Sequence, residues 1–272
     1  MKELFEGIDY QILNEGHSIK FNDIHYDSRK IKEGDIFVAL SGISVDGHNF
    51  IAKAIELGAK MIIVSKEVEI LDKNVTYIKV EDTRQSLGLI ASNFYDWPQN
   101  ALKIIGITGT NGKTTSTFIL EKLLGRCSRI GTVEYKIGEE IIEAPNTTPE
   151  SLDLVKMMKK TLDLGIEYFV MEVSSHALEM GRVEMLKFDA AIFTNLSQDH
   201  LDYHKDMDSY FKAKRKLFLK LKDSKKGSYN IDDIHGKLLF EEFGGISYSS
   251  KSGILKGEIL ENKLHTTIVS IE

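Results

Sequence analysis

Residues 103–115 read Lys103-Ile104-Ile105-Gly106-Ile107-Thr108-Gly109-Thr110-Asn111-Gly112-Lys113-Thr114-Thr115, and this stretch decides the fold. Its first half is a short apolar, β-branched run, which predicts a buried strand over Lys103 to Ile107. A glycine-rich turn follows, then a helical pattern through Leu124 that Gly125 stops. Glycines let the backbone wrap closely so that its N–H groups face phosphate oxygens, and the helix N-terminus adds the positive end of its dipole. Lys113 is placed to reach the β- and γ-phosphates of a nucleotide, and the Thr114 hydroxyl to bind Mg²⁺. The strict phosphate-loop motif needs glycine where this chain has Ile107; Gly106 comes one residue early and Gly109 lies inside the loop. The plain alternative is a glycine-rich turn with a lysine on the next helix. The order strand, turn, Gly-Lys-Thr and helix favours the phosphate loop.

The flanking sequence has the same layered grammar. Upstream, Asp35 to Leu40, Met61 to Val64 and Tyr77 to Val80 read as strands. Phe50 to Leu57 has helical spacing ended by Gly58, and Asp82 caps a helix that reaches Phe94. Downstream, Thr148-Pro149 reads as an N-cap followed by proline at the first helical position, opening a helix to Leu164. Ile166 to Val173 and Phe188 to Thr194 read as strands, Asp208 or Ser209 starts a helix to about Leu221, and the remainder is β-rich. Strands alternating with helices predict an α/β fold. Asp96-Trp97-Pro98-Gln99-Asn100 breaks the pattern, so we expect one domain over residues 1–98 and another over 99–272. The run Tyr168 to Glu172 is an apolar strand ending in an acid, and a carboxylate at a strand's C-terminal end beside a phosphate loop suits Mg²⁺.

Composition narrows the function. The 272 residues suffice for about two domains, and 42% hydrophobic with 28% charged residues is ordinary for a globular protein with a buried core. A net charge of −6 gives no reason to expect nucleic acid as a partner, although local N–H groups and a few cations still hold anions. The one cysteine, Cys127, excludes an internal disulfide and reads as a small buried apolar side chain. The N-terminus is not a secretory signal, and no segment approaches the ~18 apolar residues of a membrane span. A cytoplasmic monomer is expected.

Gly109 to Thr115 resembles the ATP loop of the Mur ligases. Further segments agree, in order along nearly the whole chain. Tyr26-Asp27-Ser28-Arg29, Gly34 to Leu40 and Asp46-Gly47-His48-Asn49-Phe50-Ile51 resemble the UDP-binding domain of that family. Asn146-Thr147-Thr148-Pro149 and Glu172-Val173-Ser174-Ser175-His176-Ala177-Leu178 are similar to the type that acts on UDP-N-acetylmuramoyl-dipeptide. Asn195-Leu196-Ser197-Gln198-Asp199-His200-Leu201-Asp202-Tyr203-His204 and Tyr210-Phe211-Lys212-Ala213-Lys214 complete the resemblance.

The resemblance implies a small α/β UDP-binding domain followed by a P-loop ATPase-like domain with a mostly parallel sheet. Tyr26, Ser28 and Ile43-Ser44-Val45 would meet the uridine nucleotide. Asn146, Thr147, Thr148, Ser174 and Arg182 would meet the muramoyl-peptide, with Met180 where relatives often carry glutamine. Thr108, Gly109, Thr110, Asn111, Gly112, Lys113, Thr114 and Thr115 would hold ATP. Thr114 and Glu172 would bind one Mg²⁺, and His200 a second, together with Lys214 as its carbamate. From the residues alone, Ser28 and Ser44 are ordinary loop serines, Arg182 a surface charge and His200 a loop histidine. Lys214, inside Lys212-Ala213-Lys214-Arg215-Lys216, reads as part of a solvated helix face.

The implied reaction is ATP-dependent amide ligation through an acyl phosphate, adding a diamino acid, meso-diaminopimelate or L-lysine, to the dipeptide precursor. Two alternatives stand beside it: a related ligase adding the terminal dipeptide or polyglutamate, and a non-catalytic nucleotide-binding module. Family members carry a third, C-terminal domain holding the incoming amino acid. By the resemblance, that domain and the last part of the central one are expected to be absent, and residues 1–272 alone to be inactive.

Overall fold

The apolar runs and helical segments assemble, in a computed structural model of the chain, around two separate sheets. The structure describes residues 1–17, 20–42, 45–263 and 266–272. The chain folds as two compact units. The first comprises Met1–Pro98, Glu150–Lys156 and Met180–Met185; the second comprises Gln99–Pro149, Met157–Glu179 and Leu186–Glu272. No helix among the described residues is long and apolar enough to cross a membrane.

The first unit is built on strands β1 (Tyr10–Asn14), β2 (Ile24–His25), β3 (Ile36–Val38), β4 (Met61–Val64) and β5 (Thr76–Val80), in the order β1-β5-β4-β3-β2. β2 to β5 run parallel and β1 closes the edge antiparallel. Phe37, Ile51, Ala54, Ile62, Val64 and Tyr77 form one buried cluster. The helix expected from Phe50 is in fact a 3-10 turn, Gly47–Phe50, followed by α1 (Ile51–Glu56). Asp46 sets this turn, its carboxylate accepting the His48 N–H at 3.0 Å. Asp82 caps α2 (Thr83–Phe94) as expected, accepting N–H bonds from Arg84 and Gln85.

The second unit carries β6 (Lys103–Thr108), α3 (Lys113–Leu124), β7 (Cys127–Ile130), β8 (Glu134–Ile137), β9 (Glu140–Glu143), α4 (Ser151–Asp163, whose first residues count with the first unit), β10 (Tyr168–Glu172), α5 (Ser175–Glu179), β11 (Ala190–Phe193), α6 (Leu201–His204), α7 (Met207–Leu219), β12 (Gly227–Asn230), α8 (Ile234–Phe243), β13 (Ile246–Ser249), β14 (Leu255–Lys263) and β15 (Thr266–Ile271). The sheet order is β15-β14-β13-β12-β11-β6-β10-β7-β8-β9. From β14 to β7 all neighbours are parallel; hairpins β14-β15 and β7-β8-β9 add antiparallel edges. The expected α/β class and mostly parallel sheet therefore hold. β6 lies between β10 and β11, with Glu172 opposite Ile107 and Phe193 opposite Thr108. The carboxyl ends of three strands thus meet at the glycine-rich loop, where open α/β sheets place ligands.

Several local expectations change. α7 begins at Met207, capped by the Asp206 carboxylate on Ser209 N–H, rather than at Asp208 or Ser209. Thr148 does not cap α4. Its hydroxyl donates to the Glu172 carbonyl at 2.9 Å and accepts the Ser174 N–H at 3.1 Å, so a long-range partner outcompetes the local cap. The β8-β9 hairpin and α8 have no counterpart among the elements expected from the sequence.

Candidate functional site

The loop of the second unit is held open by close backbone approach. Gly109 has φ +147, and a Cβ there would collide with Thr194 Oγ1, so only glycine fits without strain. Thr194 and Asn195, just past β11, brace the loop. Thr194 Oγ1 donates to the Asn111 carbonyl at 2.6 Å, and the Asn195 amide oxygen accepts the Asn111 N–H at 2.9 Å. Thr110 N–H donates to the Asn195 carbonyl at 2.9 Å, and its Oγ1 accepts the Ser197 N–H at 3.0 Å. Gly112, at φ +84, then turns the chain into α3.

Two ammonium groups converge on one carbonyl oxygen of this loop. Lys113 Nζ donates to Gly109 O at 3.0 Å and to Thr110 O at 2.7 Å, while Lys214 Nζ donates to Gly109 O at 2.9 Å. Lys214 is 1% exposed. Burial first, and then the neighbouring Lys113 charge, bring its pKa down to about 7. Burial also lowers the Lys113 pKa, against the opposing pull of Glu172 and Asp199. Like charges crowded in a partly dry loop form a spot that favours an anion.

Glu172 ends β10 fully buried. Its carboxylate oxygens accept from Thr132 N–H at 3.0 Å and Thr132 Oγ1 at 3.1 Å, which leaves lone pairs for a further ligand. Gly131 permits this approach, because a Cβ there would strike Glu172 Oε1. Thr132 Oγ1 also meets Thr147 Oγ1 at 3.1 Å, so Thr147, Thr148, Glu172 and Ser174 form one hydrogen-bonded group. Asn146 is exposed, with its carbonyl accepting from the Tyr135 hydroxyl.

His200 and Lys214 are linked through Tyr210. The Lys214 ammonium sits 4.3 Å from the Tyr210 ring centre, and the His200 ring lies edge-on to it at 6.1 Å. His200 has φ +53 and a half-exposed side chain. His204 is buried, with Nε2 2.8 Å from Ser175 Oγ; burial and then the nearby His176 lower its pKa. Among the described residues no three His, Cys, Asp or Glu side chains are grouped to hold a metal ion.

The first unit has its own cavity, of about 450 Å³, with Tyr26, Ser28, Val45, Arg29, Arg84 and Glu150 in its wall. Tyr26 donates to Asp153 Oδ2 at 2.5 Å, and burial, then Asp153, pushes its pKa far up. Ile43 and Ser44 lie outside the described residues. Arg182 pairs through Nε with Glu150 Oε1 at 2.8 Å, and Met180 is half-buried in the same unit. Arg84, Glu150, Asp153, Gly131, Thr132 and the bracing Asn195 had no assigned role from sequence. Their contacts are long-range, and no local pattern announces them.

Residues 107–269 match the Mur ligase middle domain, and residues 20–95 match the Mur ligase family, catalytic domain. The chain is similar to the UDP-N-acetylmuramoyl-L-alanyl-D-glutamate–2,6-diaminopimelate ligase of Fusobacterium nucleatum, 58% identical over 263 residues, covering 94% of this chain and 54% of that protein. It is 46% identical over 240 residues to the enzyme of the same description from Clostridium perfringens, covering 87% and 49%. A solved structure of a UDP-N-acetylmuramoyl-L-alanyl-D-glutamate–2,6-diaminopimelate ligase superimposes with a TM-score of 0.75 at 28% identity, covering 92% of this chain and 53% of that one. The chain spans about half the length of the curated relatives it matches.

Proposed function

The chain belongs to the Mur ligase family, and from that premise we propose that it provides the UDP-sugar and ATP sites of a ligase adding diaminopimelate to UDP-N-acetylmuramoyl-L-alanyl-D-glutamate. The observation that carries the reading is the Lys113 ammonium on the Gly109 and Thr110 carbonyls, in a glycine-rich loop that opens α3 and is backed by the buried Glu172 carboxylate. Such a site suits a polyphosphate. The proposed division assigns residues 1–98 to the UDP-sugar and 99–272 to ATP, except that 150–156 and 180–185 fold with the first unit.

In the reaction, an oxygen of the substrate's terminal carboxylate attacks the γ-phosphorus of ATP. The bond to the β-phosphate oxygen breaks, giving an acyl phosphate and ADP. The amine of the incoming amino acid then attacks the acyl carbon, phosphate leaves, and the amine proton is lost to solvent or base. The protein's part is positioning and charge neutralisation. Residues Thr108 to Thr115 cradle the phosphates, and Lys113 swings from the loop carbonyls to their oxygens. Thr147, Thr148 and Ser174, with Asn146, Met180 and Arg182, orient the muramoyl-peptide, while Tyr26, Ser28 and the 43–45 segment hold the uridine nucleotide.

Mg²⁺ fits the donor set. Glu172 is an anionic oxygen ligand with spare lone pairs, and Thr114 and His200 supply neutral donors. Lys214, with a pKa near 7, is substantially neutral at physiological pH. Its neutral amine adds CO₂ and loses a proton to give a carbamate, an anion able to join His200 as a ligand. Mg²⁺ held there would neutralise phosphate charge.

The test is a titration of the chain with UDP-N-acetylmuramoyl-L-alanyl-D-glutamate followed by NMR. Signals of Tyr26 and Ser28 should move, and unmoved signals would reject the placement. Labelled bicarbonate should give a carbamate resonance that disappears in Lys214→Ala.

A further inference from the structure

The side chains assigned to the uridine nucleotide, Tyr26, Ser28, Ile43, Ser44 and Val45, are all uncharged, yet a nucleoside diphosphate brings negative charge on each phosphate. Two guanidinium groups line the cavity of the first unit, Arg29 and Arg84. The Arg29 side chain is 87% exposed, and the Asp27 carboxylate already takes one edge of its fork at 2.9 and 2.7 Å. Arg84 differs on both counts. It sits in the first turn of α2, where the Asp82 carboxylate accepts its backbone N–H at 2.7 Å. Its side chain is 23% exposed, and Nη1 pairs with Glu150, itself 10% exposed.

Glu150 aims this guanidinium and is itself neutralised from two sides. Its Oε2 takes Arg84, and its Oε1 lies 2.8 Å from Arg182 Nε. A second contact of the Arg84 fork is long, Nη2 to the Ser41 carbonyl at 3.4 Å. A guanidinium has five N–H donors in a planar fork that matches phosphate oxygens, so Arg84, which lines the cavity, retains donors beyond these two contacts. Every residue named here belongs to the first unit.

We infer that Arg84 binds the diphosphate of the nucleotide in this cavity, with Glu150 as the positioning residue that holds its fork in place. The inference rests on the uridine-nucleotide reading above. It is tested on the intact chain with UDP and uridine as probes, by ligand-observed NMR, in the parent and in Arg84→Gln, Arg84→Lys and Arg29→Gln. The parent should bind UDP more tightly than uridine. Arg84→Gln should lower UDP affinity by about 10- to 100-fold while leaving uridine affinity unchanged. Arg84→Lys keeps the charge without the fork, guards against a folding defect, and should show a smaller but still selective loss. Arg29→Gln should cost no more than about 5-fold. An unchanged UDP-to-uridine ratio in Arg84→Gln, an equal loss of both ligands, or a selective loss in Arg29→Gln instead would overturn the role of Arg84 and leave the uridine reading standing. A parent that binds neither probe would overturn both.

Discussion

The two candidate sites handle charge in opposite ways. In and beside the first-unit cavity every named cation is paired with a carboxylate: Arg29 with Asp27, and both Arg84 and Arg182 with Glu150. In the second-unit loop two ammoniums share one carbonyl oxygen, and both pKa values are pushed down. Matched pairs fix directions without storing much electrostatic energy, which suits recognition of a ligand that leaves unchanged. Crowded like charges in a dry loop hold electrostatic energy that an incoming anion releases, which suits a place where charge is moved.

The largest effect should come from destroying the loop's shape while leaving its charges. Gly109→Ala puts a side chain at φ +147 against Thr194 Oγ1. Urea unfolding should show a loss of roughly 2–4 kcal/mol. A variant as stable as the parent would mean that the loop relaxes freely and that its geometry is not built in.

Per pH unit, a medium effect separates the two sites. Lys214 falls from 10.5 to about 7 on folding, so between those values the unfolded chain binds the extra proton. The burial penalty is therefore fully present below about 7 and is relieved as pH rises towards 10.5, and stability gains with pH across that window. In CO₂-free buffer, Lys214→Met should remove a slope of up to roughly 1.4 kcal/mol per pH unit. Parallel stability curves for parent and Lys214→Met would show that the buried lysine is not the source.

The smallest effect belongs to the matched pairs. Glu150→Gln keeps the shape but removes the charge between Arg84 and Arg182, and should cost about 1–2 kcal/mol. A loss larger than that of Gly109→Ala would reverse the comparison, placing the stored electrostatic energy in the first unit.

What was legible in the sequence was local. The glycine spacing from Gly109 to Gly112, the strand before it and the helix after it form a continuous pattern, and the acid at the end of β10 is adjacent to its own apolar run. Lys214 shows where residue type misleads. Amid Lys212, Arg215 and Lys216 it reads as solvated, yet it is buried. The spacing held the signal: Tyr210, Ala213, Lys214, Leu217 and Phe218 recur at three and four residues and form the buried stripe of α7. Thr148 read as a cap because the nearest helix was its only visible partner, whereas Glu172 and Ser174 claim it across more than twenty residues. Arg84 and Glu150 are 66 residues apart, and no periodicity connects them. Gly131 is one glycine among 21, and its need to be glycine exists only because Glu172 folds against it.

The central claim is that the loop around Lys113 is a nucleotide site. Isothermal calorimetry of ATP with Mg²⁺ into the parent chain and into Lys113→Ala tests it most directly. The parent should bind with one-to-one stoichiometry, and Lys113→Ala should lose about 1.5–3 kcal/mol of binding free energy, the worth of a charge-assisted phosphate contact. Equal ATP affinity in the two proteins, or no binding by the parent, would contradict the account.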